Sequence, residues 1–265
     1  MKERMKVILD NMHRYNAPNM AFLAFGLEPN TYYDALVVAP SFSPYKLGID
    51  QYCEVDTLKE GQYIAGYQVI KDGKKIAWIK ISSSESNLID HVSLCAELNF
   101  GKMIFIGAVG ALKPNLEIGD ICTPSYSVAG DNAHSYLKES LDDFVPFEKV
   151  IPDMKFIDEV LALEEAKGVH IKKASVFCTP SIALEYSHLD EIKAFGTDLI
   201  EMETAAFYLM ADLLEIPSIA ILVVSDNSSA GVALVGRTED QQDKYAYGRD
   251  KILPAIIFDV VGIGK

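Results

Sequence analysis

Strand-like and helix-like segments alternate along most of this chain, and no other feature narrows the fold as far. "DALVVAP" (34–40) reads as a short buried strand, and "SIAILVVSD" (218–226) is the most strand-like run of all. "GYQVIKDGKKIAWIKIS" (66–82) reads as a hairpin, two β-rich runs meeting at Asp72-Gly73. "KMIFIGAVGAL" (102–112) is a buried strand ending in glycines, and "IGDICTPSYSVAG" (118–130) and "KASVFCTP" (173–180) add two more. Helical stripes lie between them. "SNLIDHVSLCAELNF" carries apolar residues at 88, 89, 92, 95 and 98, with Ser86 as the expected N-cap. "DMKFIDEVLALEEAKG" is amphipathic, opening at Asp153 and ending at Gly168, and "TAAFYLMADLLEIP" is a helix stopped by Pro217. The stretch 240–260 reads as a helix interrupted by Pro254. This order predicts an α/β fold, a mixed sheet with helices on both faces and ligands at the carboxyl ends of strands. No repeat or low-complexity linker divides it, so residues 1–265 are expected to form a single domain.

Composition removes several function classes. The formal charge of −14 would repel the phosphates of a nucleic acid. The longest apolar run is too short to cross a bilayer, so no membrane partner is expected. The opening "MKERMKVILDNMHRYN" is broken by Asp10 and Asn11 and does not read as a signal peptide. Cys53, Cys95, Cys122 and Cys178 show no paired or metal-ligand spacing, which fits reduced thiols and a cytoplasmic location. With no clustered His, Cys or Asp, neither a metal nor a bound cofactor is expected.

The chemistry concentrates in "LIEMETAAFY" (199–208). If the strand runs through it, Glu201 and Glu203 point to one face, because side chains alternate with period two. If a helix starts at Thr204, both acids lie near its positive end, worth roughly 0.3–1 kcal/mol. A carboxylate so placed is an acceptor for two neighbouring hydroxyls, such as the 2′ and 3′ groups of a ribose, each bond contributing roughly 1.5–3 kcal/mol. Met202 between them can pack on the apolar face of the sugar. The bland alternative is an acid-rich first helical turn.

Four stretches in order, "IFIGAVGALKPNLEIGDICTP" (104–124), "AGDNAHSYL" (129–137), "LIEMETAAFYLMA" (199–211) and "IPSIAILVVSDNS" (216–228), together resemble the nucleoside phosphorylase and nucleosidase superfamily. The resemblance implies a central mixed sheet, partly barrel-like and flanked by helices. It also implies a homo-oligomer built from dimers and cleavage of the bond between a nucleoside's sugar and its base. Carried over by position, Glu203 holds the ribose hydroxyls, with Met202 beneath the sugar and Glu201 beside it. Gly107, Ala108 and Gly110 floor the sugar and anion pocket. Asp226 falls where purine-cleaving members carry the acid that protonates the departing base. Such an acid works only if burial raises its pKa toward neutrality. Its alternative is a strand-end aspartate capping the next turn. Arg237 can sit near Asp226, as an arginine does in hexameric purine enzymes, or form a surface salt bridge. For the base pocket "VFCTPSIALEY" offers Phe177, Ile182 and Tyr186.

The chain departs from the family where phosphate binds. "VVAPSFSPYKLG" lacks the glycine and arginine of the first phosphate turn, Phe105 and Ala108 replace an arginine and a hydroxyl residue, and no residue in 15–236 is arginine. Guanidinium forks are the usual means of holding phosphate. Ser83 and Ser84, in "ISSSESN" at a strand-to-helix junction, are a substitute cradle. Glu85 within it would cost an anion 5 Å away roughly 3 kcal/mol per charge at an effective dielectric of 20, unless it points away or Lys46 or Lys80 offsets it. Glu85 is expected to be a solvated helix-entry acid, with a role as water-activating base the bolder reading. His91 is expected to be structural and His134 to lie near a pocket or an interface. The function implied is cleavage of a purine ribonucleoside with phosphate as co-substrate. The alternatives are hydrolysis by water and binding without turnover.

Overall fold

The computed structural model describes residues 1–264. Its strands are β1 (Tyr32–Tyr33), β2 (Ala35–Pro40), β3 (Glu54–Lys59), β4 (Ala65–Lys71), β5 (Lys74–Ile81), β6 (Asn99–Phe100), β7 (Met103–Ala111), β8 (Ile121–Ala129), β9 (Lys149–Val150), β10 (Lys172–Cys178), β11 (Leu199–Glu201) and β12 (Ser218–Asn227). Its α-helices are α1 (Glu3–His13), α2 (Met20–Phe25), α3 (Glu85–Cys95), α4 (Met154–Ala166), α5 (Ile182–Glu185), α6 (Leu189–Ala194), α7 (Thr204–Leu214), α8 (Glu239–Tyr247) and α9 (Leu253–Gly262).

The main sheet runs β11-β10-β8-β12-β7-β2-β5-β4-β3, with β9 paired to β8, and β11 also pairs with β7. That extra pairing closes five strands into a ring, and the remaining strands extend from it as an open sheet. Parallel pairs (β10–β11, β8–β10, β7–β12, β2–β7, β2–β5) mix with antiparallel ones, so the expected mixed, partly barrel-like α/β architecture is present.

One edge of β7 changes partner along its length. Leu36 to Val38 of β2 pair with Met103 to Phe105. Farther along, Leu199 and Ile200 of β11 pair antiparallel with Ala111 and Gly110. Residues 106–109 fall between the two ladders. The carboxyl ends of β2 and β11 therefore converge on this gap, a switch point of the kind that receives ligands. Ala108 is the one exposed residue in an otherwise buried strand, because its neighbours are not there to cover it.

Two boundaries differ from the sequence reading. Helix α3 is capped by Ser84, whose Oγ accepts the Asn87 N–H at 3.1 Å, and not by Ser86, which lies inside the helix. Extended backbone at Ser84 places its hydroxyl under the orphan amide, as capping requires. Near the carboxyl terminus the helix is interrupted by a π-turn at Gly248–Ile252, not at Pro254. Pro254 opens α9, where its missing N–H breaks no bond.

Gly119 holds α8 against the sheet. It has φ +88, and a Cβ there would overlap the carbonyl of Lys244. Gly119→Ala is expected to lower stability by about 3 kcal/mol, read as a lower urea midpoint at unchanged m-value.

Candidate active site

A cavity of 270 Å³ occupies the switch point, lined from β2, β7, β11, α5 and β12. Gly107, Ala108 and Gly110 form its floor. Gly110 is required there, since a Cβ would stand 2.9 Å from Asp226 Oδ2 and 3.0 Å from Ile200.

Glu201 and Glu203 both line the cavity, yet their carboxyls are treated differently. Glu201 ends β11, and its oxygens are consumed locally. They accept the backbone N–H groups of Glu203 (2.7 Å) and Thr204 (3.0 Å), the Thr204 hydroxyl (2.8 Å) and the Cys178 thiol (2.9 Å). It thus caps α7 and fixes the turn that carries the next acid. Of the two acids expected at the sugar, Glu201 thus has its oxygens engaged by the protein itself. Glu203 is 5% exposed, and its Oε1 has no partner. Backbone N–H groups of Met202 and Ser84 steady its carboxyl. Burial first, then the Glu201 charge, pushes the Glu203 carboxyl well above the usual range. Burial raises Glu201 as well, and its donors pull it back.

Asp226, at the end of β12, faces the same cavity from the other side. Its Oδ1 accepts the Ser225 hydroxyl at 2.6 Å. Burial raises its pKa, while Ser225 and the Arg237 charge lower it. Arg237 lies behind the wall and does not line the cavity. Its Nη1 donates to the Ser225 carbonyl at 2.7 Å, and its guanidinium stacks 4.5 Å from the Tyr245 ring centre. Among the described residues Arg237 forms no salt bridge.

Ser41, Phe42, Lys46 and Ser83 also line the cavity. Ser41 follows β2 with φ +63, a left-handed conformation that favours glycine, so the turn keeps a glycine-like backbone with a serine in it. Lys46 Nζ sits 4.9 Å above the Phe42 ring and donates to the Ser41 carbonyl at 3.4 Å. Burial, then the charges of Arg249 and Lys80, lower its pKa. Lys80 itself is turned toward the carbonyls of Gly61 and Gln62.

Several expected residues lie elsewhere. Phe177 is outside the cavity, stacked on Phe147 and Phe195 in a small separate core with ring centres 6.1 and 5.2 Å away. Its position on β10 turns the ring outward, into the slot left by Gly130. Ile182 does line the cavity. Ser83 lines it too, whereas the Ser84 hydroxyl is committed to α3 and its backbone supports Glu203. Glu85 is not a solvated acid. It is 1% exposed and faces His134 at 3.1 Å, behind the cavity wall. His134 is wholly buried between Glu85 and Glu148. The cavity also includes Glu185, Thr179, Leu234 and Tyr245, which sequence reasoning missed. The first region after β2 carried a signal, the oddity of "APSFSPY". Glu185 carried none, being one acid in an acid-rich segment.

The model of a protein family, the phosphorylase superfamily, matches residues 57–251, well over half of the chain. Among curated proteins, the aminodeoxyfutalosine nucleosidase of Campylobacter jejuni is 26% identical over 194 residues, 72% of this chain and 83% of that protein. The DeoD-type purine nucleoside phosphorylase of Bacillus subtilis is 23% identical over 178 residues, 67% of this chain and 74% of that one. Among solved structures, the 5′-methylthioadenosine/S-adenosyl homocysteine nucleosidase of Campylobacter jejuni aligns with TM-score 0.67 at 16% identity, covering 85% of this chain and 97% of that one. The purine nucleoside phosphorylase of Toxoplasma gondii, solved with immucillin-H, aligns with TM-score 0.69 at 15% identity, covering 89% and 94%. These structural likenesses show a shared fold.

A buried carboxyl with one oxygen lacking a partner costs the folded state stability. Because the folded pKa of Glu203 is raised, the folded state loses stability as pH rises above the unfolded value. Glu203→Gln is expected to raise stability by about 1–2 kcal/mol at neutral pH. In urea titrations the gain should vanish below about pH 4, where the carboxyl is protonated in both states.

Proposed function

Because the chain belongs to the phosphorylase superfamily, we propose that it cleaves the N-glycosidic bond of a purine ribonucleoside, with phosphate as acceptor. The observation that carries this reading is that Glu203 and Asp226, from separate segments, face one cavity, and that Glu203 offers a buried oxygen with no partner. Two sugar hydroxyls would supply the donors that this carboxylate lacks, and Met202 would pack beneath the ring. As the bond to the base breaks, the sugar gains positive charge, which the surrounding carboxylates stabilise. The base leaves with the bonding electrons and takes a proton at the Asp226 end. Phosphate would enter beside Lys46, Ser41 and Ser83 and capture C1′ from the opposite face. Exposed Phe144, Val145, Phe147 and Phe195 support a homo-oligomer in this proposal, since a partner would cover them.

A second reading is hydrolysis. It is favoured by the cation count, since Lys46 is the only basic residue among the described ones that lines the cavity. Against it, Glu85, the candidate base, is turned into the protein and away from the cavity.

Base release from a nucleoside panel, measured with and without phosphate, separates the readings. Release that depends on phosphate supports transfer, and equal release without it supports hydrolysis. No release from any nucleoside would sink the enzymatic reading and leave a binding protein. Asp226→Asn is expected to keep riboside affinity while lowering purine turnover by roughly a hundredfold or more. Near-full activity in that variant would remove Asp226 from the mechanism.

A further inference from the structure

Of the four carboxylates that line the cavity, Glu185 is the one with no hydrogen-bond or ion-pair partner among the described residues. It ends the short helix α5, which Ser181 caps through the Leu184 N–H at 3.3 Å, and this turn lays it over the base end of the cavity. Asp226 is close enough for its charge to act on Glu185, and both acids act on the Tyr186 hydroxyl beside them. Two acids from distant segments, α5 and β12, therefore line one cavity.

Their surroundings are unequal. The Asp226 anion has a hydroxyl bond from Ser225 and the positive charge of Arg237. Glu185 has neither. When two close acids compete and one is helped to ionise, the other keeps the proton. Burial, then the Asp226 charge, lifts Glu185 to about 7. The other charged or titratable groups around the cavity are Glu201, Glu203, Lys46 and Tyr245, and none of them donates to Glu185.

We propose that Glu185 and Asp226 form a carboxyl pair that holds a single proton at the base end, kept on Glu185 until it is given to the base as it departs. This rests on the site being one that cleaves nucleosides. The bond between C1′ and the base nitrogen breaks, its electron pair goes to the base, and a ring nitrogen takes the pair's proton. Both carboxyls are then ionised. The sugar cation is captured by phosphate or water, and the proton that the acceptor releases to solvent restores the pair.

Two measurements test it. Carbon-detected NMR of the free protein is expected to show Glu185 titrating near pH 7. In Asp226→Asn that titration should move to lower pH by about one unit or more. Glu185 titrating in the ordinary carboxylate range would overturn the pair. The second measurement compares a purine nucleoside with 4-nitrophenyl β-ribofuranoside, whose leaving group departs as a stable anion without a proton. Glu185→Gln should lower kcat/KM on the purine nucleoside at pH 7 by roughly tenfold or more and shift its alkaline limb to lower pH. The nitrophenyl riboside should change by less than about threefold, since it needs no acid. Glu185→Asp should restore part of the loss. Equal losses on both substrates with the limb in place would overturn the proposal and leave Glu185 a structural residue. If the wild-type protein cleaves neither substrate, the nucleoside reading falls, while the NMR titration still decides whether the pair exists.

Discussion

A strand edge can be paired with only one neighbour at a time, and the site follows from how β7 meets that limit. It gives its first residues to β2 and its last to β11. The backbone between them is left open, floored by residues too small to fill the space. Closing the ring with β11 brings Glu201 and Glu203 to this opening, and the parallel pairing of β12 with β7 brings Asp226 to the same end. The irregularity between Val224 and Asp226, where the β7–β12 register shifts, falls at the acid itself. Bulges of this kind re-aim a side chain at the end of a ladder.

Within that opening the two glutamates are supplied unequally. Buried carboxylates are tolerated when donors surround them. Glu201 takes three donors from its own turn and a fourth from Cys178 on β10, and by doing so sets the backbone that holds Glu203. Glu203 is left under-supplied. The same arrangement costs stability and, under the proposed function, offers an acceptor to hydroxyl donors. Raised carboxyl pKa values on both are the physical sign of that compromise.

Much of this was legible in the sequence, and the limits are instructive. Strand runs such as 218–226 and the hairpin at Asp72-Gly73 follow from local pattern, and those elements lie where pattern put them. That Glu201 and Glu203 both reach one cavity agrees with the sequence reading, but β11 ends at Glu201 and the turn into α7, not strand periodicity, carries Glu203 there. What pattern could not carry was the allocation of hydrogen bonds. Whether a carboxylate is filled or empty depends on Cys178 and on Ser84, residues from other elements. Phe177 illustrates the same limit: alternation places it on one of two faces, and only the closed ring decides which face is the cavity. Glu85 reads as a solvated acid beside serines until His134, 49 positions away, is folded against it. Glu185 enters the site only because α5 folds over the opening, a long-range event without local trace.

The electrostatics of the cavity set a condition on any acceptor. One lysine faces four carboxyls, an arrangement suited to a cation-like sugar and hostile to a phosphate dianion. Yet burial raises all four acids, so they need not all be ionised at once. Each retained proton removes a charge that would repel phosphate, and each proton lost strengthens the hold on the sugar cation. Under the proposed function, the acids would therefore control the acceptor as well, although Lys46 and Ser41 are the groups that would touch it. A site built this way does not need the arginines that the chain lacks, provided that proton occupancy and anion entry rise together. Protonation would then do by neutralising repulsion part of what a guanidinium does by attraction.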